Sequence, residues 1–317
     1  MPIVTLVAGL ILLALGGDLL VRGAVGAATR LSIPPIIIGL TVVALGTSLP
    51  ELLISLEAAL RGAPGLAMGN VVGSNITNIL AVLALPALIV PVAFTESGTI
   101  RSAVIMLAVS ALLVLLTLDG RLDRLDGMFL VLLLVTYLAY NVAAARRSRR
   151  LSLQEPGLEV RPEGLPAVRR IVVYVVLGAV GLALGGNLTT DGALELAAKL
   201  GVADSAVGLT IVALGTSLPE LAAGIAAAAR RHDGVAVGNV LGSNILNILA
   251  ILGITATIAP LDPPASILGF DIWIMLALSV GLVAMVMFRR RLGRIEAALM
   301  SLAYVAYLYV TLSGTTA

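Results

Sequence analysis

Residues 39–52 read GLTVVALGTSLPEL, and residues 208–221 read GLTIVALGTSLPEL. Thirteen of the fourteen positions agree at a shift of 169. At the same shift 67–81, AMGNVVGSNITNILA, falls on 236–250, AVGNVLGSNILNILA, with twelve of fifteen identical. The turns between the blocks align without a gap, Arg61 on Arg230 and Gly65 on Gly234. Generic hydrophobicity cannot produce this match, because the identities fall on Gly, Thr, Ser, Pro, Glu and Asn. A chain that repeats itself this way is two copies of one unit, whatever each helix turns out to be.

Working outward, the 317 residues are 59% hydrophobic and only 12% charged, with a mean hydropathy of +1.09. Soluble domains carry about 25% charged residues, so this composition points to an integral membrane protein. The net charge is only +2 and aromatics make up 3%. No basic stripe with interleaved aromatics exists for base stacking, and nucleic acid is not an expected partner. Cysteine is absent, which excludes disulfides, zinc-thiolate sites and Cys nucleophiles. The single histidine, His232, sits in a polar turn with Arg230, Arg231 and Asp233. That removes most triad and His-ligated metal chemistry. Neither an enzyme nor a resident cofactor is expected.

Apolar runs long enough to cross about 30 Å of hydrocarbon recur near 3–21, 33–60, 66–90, 100–118, 126–144, 171–190, 203–229, 235–259, 266–287 and 295–313. The expected fold is therefore all-α, an integral membrane protein with ten transmembrane helices. The first run has no basic flank and is too long for a signal peptide, so it reads as helix one. A polar segment at 146–170 divides a first five-helix repeat (1–145) from a second (171–317). Five is odd, so the second copy enters the membrane from the opposite side, giving inverted-topology repeats. With the N-terminus outside, sixteen of the twenty basic residues fall in inner loops and four (Arg61, Arg121, Arg124, Lys199) outside. The positive-inside rule then predicts a multi-pass cell-membrane protein with both termini extracytoplasmic and 146–170 as a cytoplasmic linker.

The repeated residues carry the chemistry. Pro50 has no N–H and clashes with the carbonyl of Gly46, so the helix should break there, as at Pro219. Broken backbone at membrane depth is tolerated beside protein or a water-filled cavity. Thr47, Ser48 and Glu51 share one helical face, and Thr216, Ser217 and Glu220 repeat them. Glu51 and Glu220 lie deep in their spans, where a carboxylate costs a few kcal/mol; two in equivalent places imply a shared cation. Asn70, Ser74 and Asn78 fall four apart on one face, as do Asn239, Ser243 and Asn247, and their amide and hydroxyl oxygens suit Na+ or Ca2+. Gly69, Gly73, Gly238 and Gly242 allow close helix approach. Asn75 and Asn244 lie off that face and read at least as well as interhelical hydrogen-bonding residues. Asp18, aligned with Asn187, and Glu57, aligned with Ala226, read as helix-end and interfacial residues.

GTSLPE followed by GNxxGSNxxN, each present twice, resembles the calcium/cation antiporter superfamily, most closely its prokaryotic sodium/calcium exchanger branch. The resemblance spans essentially the whole chain. It implies Ca2+ coordination by Glu51 and Glu220. It also implies Na+ sites shared among Thr47, Ser48, Ser74, Asn78, Thr216, Ser217, Ser243 and Asn247 and the carbonyls of Ala44 and Ala213. Two long gating helices, here 3–29 and 171–199, would slide past a static core. Exchangers commonly have Asp at one of the two positions held here by Asn78 and Asn247. With Asn at both, the site charge is −2: one Ca2+ or two monovalent ions neutralise it, and a third Na+ leaves +1.

The expected function is Ca2+ antiport by alternating access, driven by Na+, with a Ca2+ (or other divalent)/H+ exchanger on the same fold as the alternative. The expected partners are inorganic cations and the lipid bilayer. Two other classes fit less well. An intramembrane aspartyl protease lacks its GxGD and YD motifs, and a Na+-driven organic-solute symporter would need an aromatic-lined pocket, whereas helices two, three, seven and eight contain no aromatic residue.

Overall fold

The computed structural model describes residues 2–152, 167–199 and 213–314. In chain order its helices are α1 (Pro2–Leu31), α2 (Pro35–Thr47), α3 (Leu49–Leu60), α4 (Pro64–Ile89), α5 (Thr99–Leu116), α6 (Arg124–Ser152), α7 (Val168–Lys199), α8 (Ala213–Thr216), α9 (Leu218–Ala229), α10 (Asp233–Ile258), α11 (Ile267–Phe288) and α12 (Arg294–Gly314). Two short strands, β1 (Val92–Ala93) and β2 (Arg291–Leu292), pair antiparallel. Among the described residues seven helices are long and apolar enough to span a bilayer, namely α1, α4, α5, α6, α7, α10 and α11, and the bent pair α2–α3 makes an eighth. The expected span 203–229 is seen only as α8 and α9, because 200–212 lie outside the described residues, as do 153–166 of the expected linker. The span expected at 295–313 corresponds to α12, whose first turn carries Arg294 and Glu296. Helices one, five and six run longer than their apolar runs, since flanking arginines, good helix formers, extend α6 to Ser152 and start α7 at Val168.

The core is the pair α4 and α10. The most apolar stretch of α10 is 100% buried and that of α4 78% buried, against 17% for α6. A helix surrounded by protein on all sides can carry polar residues toward a neighbour, whereas the outer helices present Leu, Ile and Val outward. Close approach at the core rests on glycine. A Cβ on Gly238 would lie 2.6 Å from the Ile36 carbonyl oxygen, and one on Gly242 2.7 Å from Leu40 Cα. Backbone therefore touches backbone where α10 crosses α2. The positions matching Gly39 and Leu40, 208 and 209, lie outside the described residues, so the counterpart crossing at Gly69 and Gly73 is not described.

Outside this core, α1 and α7 pack antiparallel along their lengths. Gly9, Gly16 and Gly23 recur every seven residues, as do Gly178, Gly185 and Gly192, and these are repeat mates. A Cβ on any of the six would come within 3 Å of backbone on the partner helix. In the sequence this stripe is a glycine heptad that lies outside the identical blocks.

Repeat mates share local geometry. α2 and α3 meet at a 47° bend. Ser48 at the break has φ −86° and ψ 7°, and Ser217 has φ −88° and ψ 2°. Each following helix places Pro in its first turn, where a missing N–H costs nothing. α4 and α10 each widen into a π-turn starting at Asn78 and Asn247; Leu83 N–H reaches back five residues to Asn78 O at 3.0 Å. Such insertions often mark functional positions. α3 and α9 end in the same Schellman turn. Ala63 N–H donates to Ala58 O and His232 N–H to Ala227 O, with Gly62 at φ +74° and Arg231 at φ +56°. A left-handed arginine costs about 1–2 kcal/mol that glycine avoids.

Contacts between loops sort the helix ends into two groups. β1 pairs with β2, Ala93 N–H donates to Asp233 Oδ2, and Arg294 caps the C-terminus of α4 at Leu88 O and Ile89 O. Leu122 and Leu261 bridge each other at the other end.

Two stability measurements test this packing. Gly238→Ala should destabilise the detergent-solubilised protein by about 1–3 kcal/mol through overpacking, while Gly281→Ala, exposed with nothing within 4 Å, should leave the melting temperature within error. Arg231→Gly should raise stability by about 1 kcal/mol by relieving the left-handed strain.

Candidate functional site

Glu51 and Glu220 occupy the first turns of α3 and α9, directly after the two helix breaks. Each is 1% exposed. Helix N-termini carry partial positive charge that favours carboxylates, and the breaks place two such termini at the centre of the molecule. The two carboxyl groups are close enough to interact with one another. Among the described residues neither has an ion-pair partner.

Ser48 and Glu51 have the spacing of a capping box, yet no side-chain cap forms at either break. The Ser48 hydroxyl crosses to the other half, 3.1 Å from Glu220 Oε1 and 3.2 Å from Ser243 Oγ. Its repeat mate Ser217 has an unpartnered hydroxyl. Thr47 Oγ1 lies 3.2 Å from Val43 O and 3.4 Å from Asn239 Oδ1. The Ala44 carbonyl, expected as a ligand, accepts from Ser48 N–H at 3.0 Å and from the Thr47 hydroxyl at 3.3 Å. Thr216 is buried beside these groups, and the Ala213 carbonyl begins α8, one turn before it.

Asn70 and Asn239 act on the backbone of the glutamate helices. Asn70 Nδ2 donates to Glu51 O at 3.3 Å and Ser55 Oγ at 2.9 Å, and Asn239 Nδ2 donates to Glu220 O at 3.3 Å. The sequence repeat does not single out Ser55, because its repeat mate is Gly224.

Among the described residues ten buried side-chain oxygens have no hydrogen-bond partner, and six belong to the expected ligand set: Glu51 Oε2, Glu220 Oε2, Ser74 Oγ, Ser217 Oγ, Asn78 Oδ1 and Asn247 Oδ1. No orphaned nitrogen is found with them. A buried polar atom left unpaired costs about 1–3 kcal/mol, a cost that a bound cation would relieve at these six oxygens. No group of three His, Cys, Asp or Glu converges among the described residues. The donors are two carboxylates and neutral oxygens, the set that hard cations prefer.

A cavity of about 330 Å³ is lined by Pro50, Asn187, Thr190, Asp191, Thr216 and Pro219, at the two helix breaks. A larger cavity of about 460 Å³ between α1 and α9 is lined mostly by leucines and alanines. At its end Asp18 pairs with Arg22 at 2.7 Å and with Arg230. Asp18 is thus more than a solvated helix-end residue. Its repeat mate is Asn187, and Arg61, the mate of Arg230, pairs with Glu57 on its own helix.

The model of the sodium/calcium exchanger protein family matches residues 1–143 and 170–313 of this chain, its two halves. The chain is 37% identical over 312 residues to the putative antiporter CaxA of Alkalimonas amylolytica, covering 96% of this chain and 97% of that protein. It is 31% identical over 340 residues to the sodium/calcium exchanger MaX1 of Methanosarcina acetivorans, with 96% and 97% covered. Its fold matches the solved structure of the sodium-calcium exchanger NCX_Mj at a TM-score of 0.84 and 31% identity, covering 97% and 98% of the two chains.

The oxygen cluster makes a thermodynamic prediction. Ca2+ at about 100 times its Kd should stabilise the solubilised protein by about 2.7 kcal/mol. Glu51→Gln and Glu220→Gln should each lose that increment, yet melt higher than the parent in chelator because a buried uncompensated charge is gone. Wild-type Ca2+ stabilisation in both variants would place the cation elsewhere.

Proposed function

Because the chain belongs to the sodium/calcium exchanger protein family, we propose that it exchanges Ca2+ for Na+ across the cell membrane through one site built around Glu51 and Glu220. The observation that carries this reading is the set of six unpartnered buried oxygens in the repeated motifs, one from each of two buried carboxylates among them. Glu51, Glu220, Ser74, Ser217, Asn78 and Asn247 supply those oxygens, and Thr47, Ser48, Thr216, Ser243 and the Ala44 and Ala213 carbonyls complete the set. Ca2+ takes six to eight oxygens, and Na+ competes for the same ones. Exchange then follows from mutual exclusion, since an emptied site would strand two carboxylates in low dielectric.

The architecture that would support this exchange is ten spans in two inverted five-helix repeats. Reciprocal contacts between repeat mates are the mark of a two-fold axis: Asn75 with Asn244, and Ser110 with Ser279 at 3.2 Å. The loop contacts also join only loops that ten alternating spans would put on one side. With the arginine-rich loops inside, both termini are extracytoplasmic. The polar cavity at Asn187 and Asp191 is then the outward path, and the Asp18–Arg230 pair closes the inward one.

Site charge sets the stoichiometry. Two Na+ balance −2, whereas a third leaves +1 in low dielectric, at a cost of several kcal/mol. The exchange is therefore two Na+ for one Ca2+ and electroneutral.

Radioactive Ca2+ uptake into reconstituted vesicles tests the proposal. Uptake should require an outward Na+ gradient, change less than twofold when a potential is imposed, and vanish in Glu51→Gln. Uptake driven by a pH gradient in Na+-free buffer at the same rate would replace Na+ coupling with H+ coupling. The cysteine-free chain also allows a clean orientation test: Arg231→Cys should react with an impermeant thiol reagent only from the cytoplasmic side, and Asp119→Cys only from outside.

A further inference from the structure

Asn75 and Asn244 face each other across the core, fully buried at 0% and 1% exposure. Asn75 Nδ2 donates to the Asn244 carbonyl at 3.3 Å and to Met275 Sδ at 3.6 Å. Asn244 Nδ2 donates to the Asn75 carbonyl at 3.4 Å and to Met106 Sδ at 3.5 Å. Backbone carbonyls and thioethers only accept, so the amide nitrogens must point at them. The side-chain oxygens of Asn75 and Asn244 are thereby turned the other way.

Those oxygens meet the two amides of the proposed site. Asn247 Nδ2 donates to Asn75 Oδ1 at 3.0 Å, and Asn78 Nδ2 donates to Asn244 Oδ1 at 3.0 Å. Each ligand amide is thus gripped by its nitrogen end, and its oxygen faces away without a partner. A reversed amide would set oxygen against oxygen at the grip and aim N–H at the cation. An ionised Asp at 247 would create the same acceptor clash.

We propose that Asn75 and Asn244 are positioning residues that aim the cation-binding amide oxygens, each acting on the opposite half: Asn75 on Asn247, and Asn244 on Asn78. This rests on the reading that Asn78 and Asn247 bind the transported cation. The crossing means that neither half can orient its own amide ligand alone. Met106 and Met275, themselves repeat mates, anchor the two orienting amides.

The test is the half-saturating Ca2+ concentration for Na+-driven uptake, with melting temperature in chelator recorded for each variant. Asn247→Ala and Asn78→Ala should each raise that concentration; if neither does, the underlying reading of the site fails. Asn75→Ala should raise it about tenfold or more, the usual effect of removing a group that orients a metal ligand. The deciding comparison is a double-mutant cycle. Asn75→Ala added to Asn247→Ala should change nothing beyond Asn247→Ala alone, because the amide it aims is already gone. Added to Asn78→Ala, it should multiply the two effects. Asn244→Ala should behave in mirror image. Should Asn75→Ala not fold, Met275→Leu, a volume-conserving swap, removes one acceptor of the same amide; a smaller rise that disappears in the Asn247→Ala background is expected. Equal effects in both backgrounds, or no effect of these variants beside an active parent and a weakened Asn247→Ala, would overturn the proposal.

Discussion

Two carboxylates, Glu51 and Glu220, are held in the middle of the molecule with no basic side chain beside them among the described residues. Ionised and alone in low dielectric, they would repel each other and lose their hydration. Much of the surrounding structure can be understood as making that arrangement tolerable. The chain breaks at Ser48 and Ser217 so that helix N-termini point inward at the acids. Asn70 and Asn239 hold the backbone of the acidic turns in place. Neutral oxygens from α4 and α10 gather opposite and stay unpaired. In the proposed exchange, cations would complete this centre.

The two halves are alike where they touch the site and unlike farther out. Ser48 reaches Glu220, while Ser217 keeps an unpartnered hydroxyl. Asp18 ties α1 to the turn after α9, whereas Asn187 lines a polar cavity instead. An ion pair this exposed contributes about 1 kcal/mol at most, which suits a contact that forms and breaks. Paired glycines let α1 and α7 lie backbone to backbone. The inner motifs are thus identical while their outer surroundings differ.

Much of the candidate site is legible in the sequence because the repeat singles it out. Glu51, Ser74 and Asn78 and their mates at 220, 243 and 247 stood out as polar residues in apolar runs. The helix breaks followed from Pro50 and Pro219. Asn75 and Asn244 were legible as partners across helices, but not the direction of their amides, which depends on carbonyls and sulfurs brought in by the fold. Met106 and Met275 gave no signal at all, since methionine in an apolar helix is ordinary. The Asp18–Arg230 pair was hidden because its members are 212 residues apart, and sequence periodicity reports only neighbours on one helix.

By itself the sequence determined a membrane protein made of two copies of one helical unit, each with a broken helix, a buried acid and a face of neutral oxygens. These follow from local rules: the missing N–H of proline, the 3.6-residue turn, and the cost of charge in hydrocarbon. Tertiary structure alone decided which oxygens remain unpaired, which amide end faces the centre, and which copy's serine crosses the interface. Those outcomes depend on hydrogen bonds between residues more than 130 positions apart, and only packing the two copies against each other creates them.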